Sequence, residues 1–139
     1  MDPDPIPTTD IRVCARTLFG LRIDGRTMLQ QAVEQMLRDR GWAVASEGRV
    51  ITAQRDGEET VLAFLQRGEA TDFADRVAES SAILAAVLLQ EIPDTEVVHL
   101  EEAGIACFAR EEVEDVVVMA LMKKAGLETA PFFRLLERG

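Results

Sequence analysis

An uninterrupted apolar segment at residues 82–89 is the feature that most constrains how this chain folds. Eight residues are too few to cross a bilayer, so the segment has to be buried within protein. Thr71 or Asp72 precedes it as a candidate helix N-cap, and Pro93 follows it as a stop. We therefore interpret it as the second half of a helix at about 72–92, apolar nearly all round and buried on more than one side.

Such a helix needs more cover than one sheet provides, because a sheet face covers only one side of it. The candidate covers are the amino-terminal helix, the last helices and a second copy of the chain. A two-fold dimer would pair the segment with its own copy, since the same patch then serves both subunits. This interpretation assigns self-association to four residues: Ile83, Leu84, Val87 and Leu88.

The rest of the domain alternates helices and short strands. Thr27 and Gln30 form a predicted capping box for a helix that ends at Gly41, and Asp56-Gly57 is a hairpin signal. The strands are predicted at 42–45, 49–54, 60–65, 96–100 and 105–109. A helix from Glu111 to Gly126 and a short helix from Pro131 follow. The order helix, three strands, helix, two strands, helix predicts an α/β (α+β) class with a mixed sheet flanked by helices.

Residues 1–25 are interpreted as an extension, and residues 26–139 as a single domain, as suits a chain of 139 residues. Three prolines lie within the first seven residues, and Thr9 or Asp10 can then cap a short helix that ends at Gly20. Five apolar residues share one face of it: Ile11, Cys14, Ala15, Leu18 and Phe19. We expect this arm to pack on the domain or on a partner.

Charge argues against a nucleic-acid binder. There are 25 acidic and 15 basic residues, a net charge of -10, so nucleic-acid binding is expected to be weak or absent. The arginines at 12, 16, 22 and 26 make the amino-terminal segment locally positive. It could contact nucleic acid or an acidic partner, but we favour contact with this protein's own acidic face, within one chain or across a dimer. Residues 91–115 hold nine acids and one arginine, which we interpret as solvated surface rather than as a cation site or a docking face.

Signatures of catalysis and of metal binding are missing from the sequence. His99 is the single histidine, on a predicted strand, and a zinc site would need more nitrogen or sulfur ligands nearby. No Walker A, Gly-x-Ser-x-Gly or Gly-x-Gly-x-x-Gly motif occurs. We therefore assign no catalytic residue, no metal and no cofactor. The start Met-Asp-Pro-Asp-Pro-Ile-Pro lacks the features of a signal peptide, and Cys14 and Cys107 lie far apart, so we expect a cytoplasmic protein with reduced thiols and no membrane partner.

Two stretches carry a family resemblance. Residues 37–44, Leu-Arg-Asp-Arg-Gly-Trp-Ala-Val, resemble the first helix and strand of restriction-endonuclease-like (PD-(D/E)XK) domains. Residues 50–57 and 58–65 resemble the catalytic hairpin of that fold, which carries an aspartate early in its second strand and an acid-x-lysine pair in its third. The resemblance covers about residues 27–102 and implies a restriction-endonuclease-like core.

The catalytic positions of that family are apolar in this chain. Aligning Asp56-Gly57 with the family's turn places Val50 at the aspartate, Ala63 at the second acid and Leu65 at the lysine. Shifting the third strand by one residue gives Phe64 and Gln66 instead. Metal-dependent hydrolysis needs convergent carboxylates, so the resemblance implies a scaffold whose active site has degenerated.

Three functions follow from these patterns. The first is a non-catalytic interaction or assembly domain that associates with itself. The second is a small acidic dimeric chaperone or adaptor for a partner protein, since type III secretion chaperones are similar in element order, size and charge. The third is a cryptic metal-dependent nuclease using Glu34, Glu47, Asp56 or Glu58. An enzyme requires at least three charged side chains in one cleft near the hairpin. A chaperone requires an exposed apolar groove, and an assembly domain requires a large apolar self-interface.

Overall fold

The computed structural model describes residues 22–23, 26–121 and 130–136. The strands are β1 (Arg22–Ile23), β2 (Arg26–Thr27), β3 (Ala43–Glu47), β4 (Val50–Arg55), β5 (Glu58–Leu65), β6 (Ile83–Leu88) and β7 (Ala106–Ala109). The helices are α1 (Met28–Asp39), α2 (Ala70–Arg76), α3 (Asp94–Glu102), α4 (Arg110–Leu121) and α5 (Pro131–Leu136). The predicted helix at 9–20 and the predicted helix end at Gly126 lie outside the described residues.

A five-stranded mixed sheet in the order β3-β4-β5-β6-β7 forms the centre of the molecule. The first three strands are antiparallel, whereas β5, β6 and β7 are parallel and are joined by α2 and α3. A mixed sheet flanked by helices confirms the predicted α/β class. β1 and β2 form a separate antiparallel pair just before α1.

Helices cover the two faces of the sheet and create two apolar clusters. On one face α1, α4 and α5 contribute Leu29, Val117 and Phe132 to a cluster under Phe64. On the other face α2 and α3 contribute Phe73 and Leu100. The result is a three-layer α/β/α arrangement. None of the helices in the described ranges is long and apolar enough to cross a membrane.

The antiparallel part of the sheet follows the sequence prediction closely. The strands predicted at 42–45, 49–54 and 60–65 are present as β3, β4 and β5, with ends shifted by up to two residues. Asp56 and Gly57 have φ angles of 52° and 82°, so the hairpin turn is the type I′ turn that this residue pair favours. Thr27 is the N-cap of α1, and its hydroxyl accepts a hydrogen bond from the Gln30 main-chain N–H at 3.1 Å.

The prediction of one long helix at 72–92 is wrong. The chain is helical only over α2, whose N-cap is Glu69, and the apolar run forms strand β6. A parallel strand between two neighbours is covered on both faces, so it is apolar without alternation and resembles a buried helix in sequence. In β6, Ala85 contacts the α1 side and Ala86 the α2 side, and each is 0% exposed. Pro93 does not end a helix but precedes α3 as its N-cap.

The four residues to which self-association was assigned are therefore part of the sheet. Leu84 and Val87 are buried within the chain, and Ile83 and Leu88 are half-buried. The chain itself supplies the cover that a second copy was expected to supply. The helical surface from which that dimer was predicted does not exist.

The strand predicted at 96–100 is also wrong, because these residues lie in α3. Leu100 is fully buried and Val97 packs beside it, which is the i, i+3 spacing of one helix face. His99 lies on the exposed side of this helix rather than on a strand. The strand predicted at 105–109 is confirmed as β7, and α4 and α5 begin at Arg110 and Pro131, close to the predicted positions.

Candidate functional site

A shallow cleft of about 240 Å³ lies where the β3–β4 turn, the carboxyl end of β5 and α2 meet. Five charged side chains line it: Glu47, Arg49, Glu69, Asp72 and Arg76. Its floor is formed by apolar residues of β4, β5 and α2, among them Val50, Leu65 and Phe73. Charged groups thus converge beside the β4–β5 hairpin.

Local chain geometry explains this convergence. The two-residue turn between β3 and β4 starts with Gly48 at a φ of 59°, which brings Glu47 and Arg49 to the same end of the hairpin. The Phe64 N–H donates to the Arg49 carbonyl at 2.9 Å, so β5 runs alongside the turn. Because α2 begins five residues after the end of β5, its first turn lies near the carboxyl end of β5 and close to the β3–β4 turn.

Ion pairs compensate most of the charge in the cleft. Arg49 pairs with Glu69, and Glu69 also accepts a hydrogen bond from the Gln66 main-chain N–H at 2.6 Å. Arg76 pairs with Glu47 at 3.2 Å, and these two side chains are 54% and 87% exposed. Asp72 adds a further negative charge. The arrangement fastens the β3–β4 turn to the start and the end of α2.

The three positions aligned with the nuclease active site come together beneath this cleft. Val50 and Ala63 are direct partners in the β4–β5 ladder, and Leu65 lies two residues further along the same face of β5. All three belong to the apolar cluster under α2 and α3, where Ala63 is 0% and Leu65 is 5% exposed. At these positions the chain has hydrocarbon packing rather than groups that bind an ion.

The acids named for a cryptic nuclease do not come together. Glu47 reaches the cleft, but Asp56 and Glu58 lie at the opposite end of the β4–β5 hairpin. Glu34 is buried on α1, where Gln30 donates to it and Arg38 lies 3.8 Å away. Within the described ranges, no three His, Cys, Asp or Glu side chains are grouped so that they could hold a metal ion.

Sequence reasoning missed Arg49, Glu69, Asp72 and Arg76 as a group. Two signals were present: charged residues follow the buried strand β5 directly, and Asp72 and Arg76 have the i, i+4 spacing of one helix face. They carried little weight because the segment from residue 72 onward was assigned to a longer helix. The sequence did not predict where the first half of that long helix lies relative to the β3–β4 turn, so it gave no reason to place these charged residues in one cleft.

The surface of the described residues offers little for apolar docking. Val98 on α3 is the one large hydrophobic side chain there that is clearly exposed, at 49%. A small groove of about 100 Å³ between α1 and α4, lined by Ala32, Met36, Val117 and Ala120 among others, is the mostly apolar depression in this part of the chain.

The chain was compared with protein-family models, with curated proteins and with solved structures. None of the three comparisons finds a match.

Proposed function

We propose that this chain is a non-catalytic interaction or assembly domain on a restriction-endonuclease-like scaffold, and that it associates with itself. The observation that carries the proposal is the apolar packing of Val50, Ala63 and Leu65 under α2. A carboxylate at the position of Ala63 would be buried among hydrocarbon side chains, which disfavours its charged form. The order of α1, three strands, α2 and β6 supports the scaffold assignment.

The ion pairs of the cleft support the same proposal. Glu69 accepts from a main-chain N–H and pairs with Arg49, so both charged groups hold the turn against α2. Side chains engaged in this way stabilise the scaffold and are not poised to polarise a water molecule.

A cleavage assay tests the non-catalytic part of this proposal. Purified protein is incubated with labelled duplex and single-stranded DNA and RNA in Mg²⁺ or Mn²⁺. We expect no cleavage above that of matched preparations of Glu47→Gln and Asp56→Asn. Cleavage that either substitution abolishes would refute the proposal, whereas cleavage common to these three preparations and to Asp72→Asn would come from a contaminant.

Nucleic-acid affinity is a second measurement on the same samples. The net charge of -10 repels phosphate, so we expect Kd values no tighter than about 10⁻⁶ M near physiological salt. A submicromolar affinity that falls steeply with salt in a fluorescence titration would show that a local basic segment outweighs the total charge.

A metal-dependent nuclease is the second candidate, and the convergence of five charged side chains in one cleft favours it. Three carboxylates line the cleft, those of Glu47, Glu69 and Asp72, but they are not grouped so that they could hold a metal ion together, and the sequence suggested only Glu47. Asp72→Asn separates this candidate from the first, because Asp72 is exposed and the substitution leaves both ion pairs in place. Cleavage lost in Asp72→Asn would favour the nuclease.

A further inference from the structure

The turn between β4 and β5 contains the one residue other than glycine, within the described ranges, whose φ angle is positive. This residue is Asp56, with a φ of 52°, and Gly57 follows it with a φ of 82°. Side chains are uncommon in this region of conformational space, and aspartate tolerates it better than most residues. The turn is two residues long, because Arg55 and Glu58 form the last pair of the β4–β5 ladder.

Two groups in this turn that can react with each other are both unengaged. Among the described residues, none donates a hydrogen bond to the Asp56 carboxylate or forms an ion pair with it, and this side chain is exposed. The guanidinium of Arg55 instead stacks on Trp42 and donates to the Arg40 carbonyl at 3.1 Å. In the same ranges no main-chain carbonyl accepts a hydrogen bond from the Gly57 N–H. A carboxyl carbon and a main-chain nitrogen are therefore adjacent and accessible.

The turn is close to the geometry that ring closure between these two groups needs. A succinimide ring joins Cγ of Asp56 to the nitrogen of Gly57, and in an L residue it fixes ψ at about −120°, the value found with a φ of about 60° in a type II′ turn. The observed φ of 52° already matches, so only the peptide between the two residues has to rotate. Types I′ and II′ both connect two-residue hairpins, so the Arg55–Glu58 pair keeps its register.

Gly57 is suited to this rotation. Its φ changes sign, from 82° to about −80°, and glycine populates both signs about equally. No atom lies within 4 Å of the position that a Cβ would take. The absence of a side chain thus permits the rotation and leaves the nitrogen open to attack.

The aspartate of α2 lacks these features. The nitrogen that follows Asp72 belongs to Phe73, and its N–H donates to the Glu69 carbonyl at 3.1 Å. A bulky side chain follows Asp72 directly, and the helix sets ψ at about −42°. Asp24-Gly25 is a second Asp-Gly pair of the sequence, but it lies outside the described residues.

From this geometry we propose that Asp56-Gly57 is a site of spontaneous covalent modification, at which Asp56 is converted to isoaspartate through a succinimide. In the first step the Gly57 nitrogen attacks Cγ of the neutral carboxyl group. A C–N bond forms, the C–OH bond breaks, and the amide proton leaves with the hydroxyl group as water. Adjacency of the two groups makes the step intramolecular, which lowers its entropic cost.

In the second step water adds to one of the two ring carbonyls and the bond from that carbon to nitrogen breaks. Addition at the main-chain carbonyl leaves the chain running through Cβ and Cγ of residue 56, which lengthens the turn by one carbon atom. The two steps together need no oxidant, reductant or cofactor. The site lies at the end of the hairpin opposite the charged cleft, so this inference does not depend on the proposed function.

Isotope incorporation into the folded protein tests the proposal. Each passage through the ring places one solvent oxygen on residue 56, so the protein is aged in ¹⁸O-water in mildly acidic buffer, and the tryptic peptide that carries this residue is analysed by mass spectrometry. An Asp24→Glu background removes the second Asp-Gly pair. Asp56→Glu is the matched control, because it keeps the charge but has to close a six-membered ring. We expect labelling at least about tenfold faster with Asp56 than with Asp56→Glu.

The same incubation in urea shows whether the native turn permits or prevents the reaction. We expect the folded and unfolded chains to be labelled at rates within about threefold of each other, because the folded turn already has the required φ. Labelling in urea but not in the folded protein would overturn the inference, since the turn would then protect the nitrogen. Equal labelling of Asp56→Glu would also overturn it, because the oxygen would then come from ordinary carboxyl exchange.

Isoaspartate formation gives a second readout on the same samples. Endoproteinase Asp-N cleaves before aspartate but not before isoaspartate, so we expect the fraction of chains resistant to cleavage before residue 56 to grow as the label accumulates. Label without any resistant fraction would contradict the isoaspartate step. Each of these outcomes leaves the proposed non-catalytic function standing, which only the cleavage assay tests.

Discussion

Two alanines show how differently the two halves of the sheet are built. Ala45 in β3 is exposed, whereas Ala86 in β6 is fully buried, although both are central residues of short strands. In the hairpin half, β3 and β4, only the α1 side is well covered, so inward and outward residues alternate. In the crossover half, β5 to β7, helices lie on both sides. The number of covering layers, and not the residue type, therefore sets the environment of each strand.

The largest expected effect contrasts these two alanines directly. Ala86→Asp places a carboxylate inside the α2 side of the core, and we expect a loss of about 3–5 kcal/mol in unfolding free energy, or insoluble protein. Ala45→Asp makes the same change on the exposed strand and should cost less than about 1 kcal/mol. Urea titrations followed by circular dichroism measure both values. Similar losses for the two variants would contradict the layer argument.

A second contrast uses the thiol of Cys107 in the crossover half. Burial, and to a smaller degree the charge of Glu101, raise the pKa of this thiol to about 11. Its thiolate fraction at neutral pH should be about a hundredfold below that of an ordinary thiol. In a Cys14→Ser variant we expect iodoacetamide to react correspondingly slowly, with a rate that rises about tenfold per pH unit up to the pKa. If iodoacetamide reacts with Cys107 as fast in native buffer as in urea, the folded chain does not bury this thiol, and the argument from burial is wrong.

The turn of the hairpin half provides a smaller effect. Gly57 has a φ of 82° with no atom close to the position of an added Cβ, so Gly57→Ala acts through backbone strain alone. We expect a loss of about 1–2 kcal/mol, while Gly57→Asn should lose less because asparagine tolerates the left-handed region. Thermal melts of the two variants give the comparison. Equal melting temperatures would mean that the turn relaxes into another type.

The smallest expected effect concerns the ion pairs that join the two halves. Glu69→Ala removes a half-buried partner of Arg49 and an acceptor for the Gln66 N–H, and should cost about 1 kcal/mol. Glu47→Ala removes an exposed partner of Arg76 and should change stability by less than about 0.5 kcal/mol. Chemical denaturation in low and in 1 M salt distinguishes them, since only the exposed pair is expected to vanish by screening. A larger cost for Glu47→Ala would reverse the ranking.

The same contrast explains which elements could be predicted. Thr27 at the start of α1, and Asp56 and Gly57 in the hairpin half, act through local geometry, so the cap and the turn can be predicted from a few neighbouring residues. In the crossover half, the apolar run of β6 carries no period that separates a strand from a buried helix. The cleft was missed for a related reason, because Arg49 and Glu69 are twenty residues apart and meet only through the β5–α2 crossover.

The sequence by itself determined the α/β class, the antiparallel hairpin, the helix that Thr27 caps, and the apolar character of positions 50, 63 and 65. These features depend on local conformational preference and on residue identity, both of which can be determined from short stretches of sequence. Tertiary structure alone decided that residues 83–88 form a central strand and that charged groups gather over Val50 and Leu65. It also decided that β3, and not the apolar run, is the first strand of the described five-stranded sheet and has mostly exposed side chains. These features depend on which elements cover which faces.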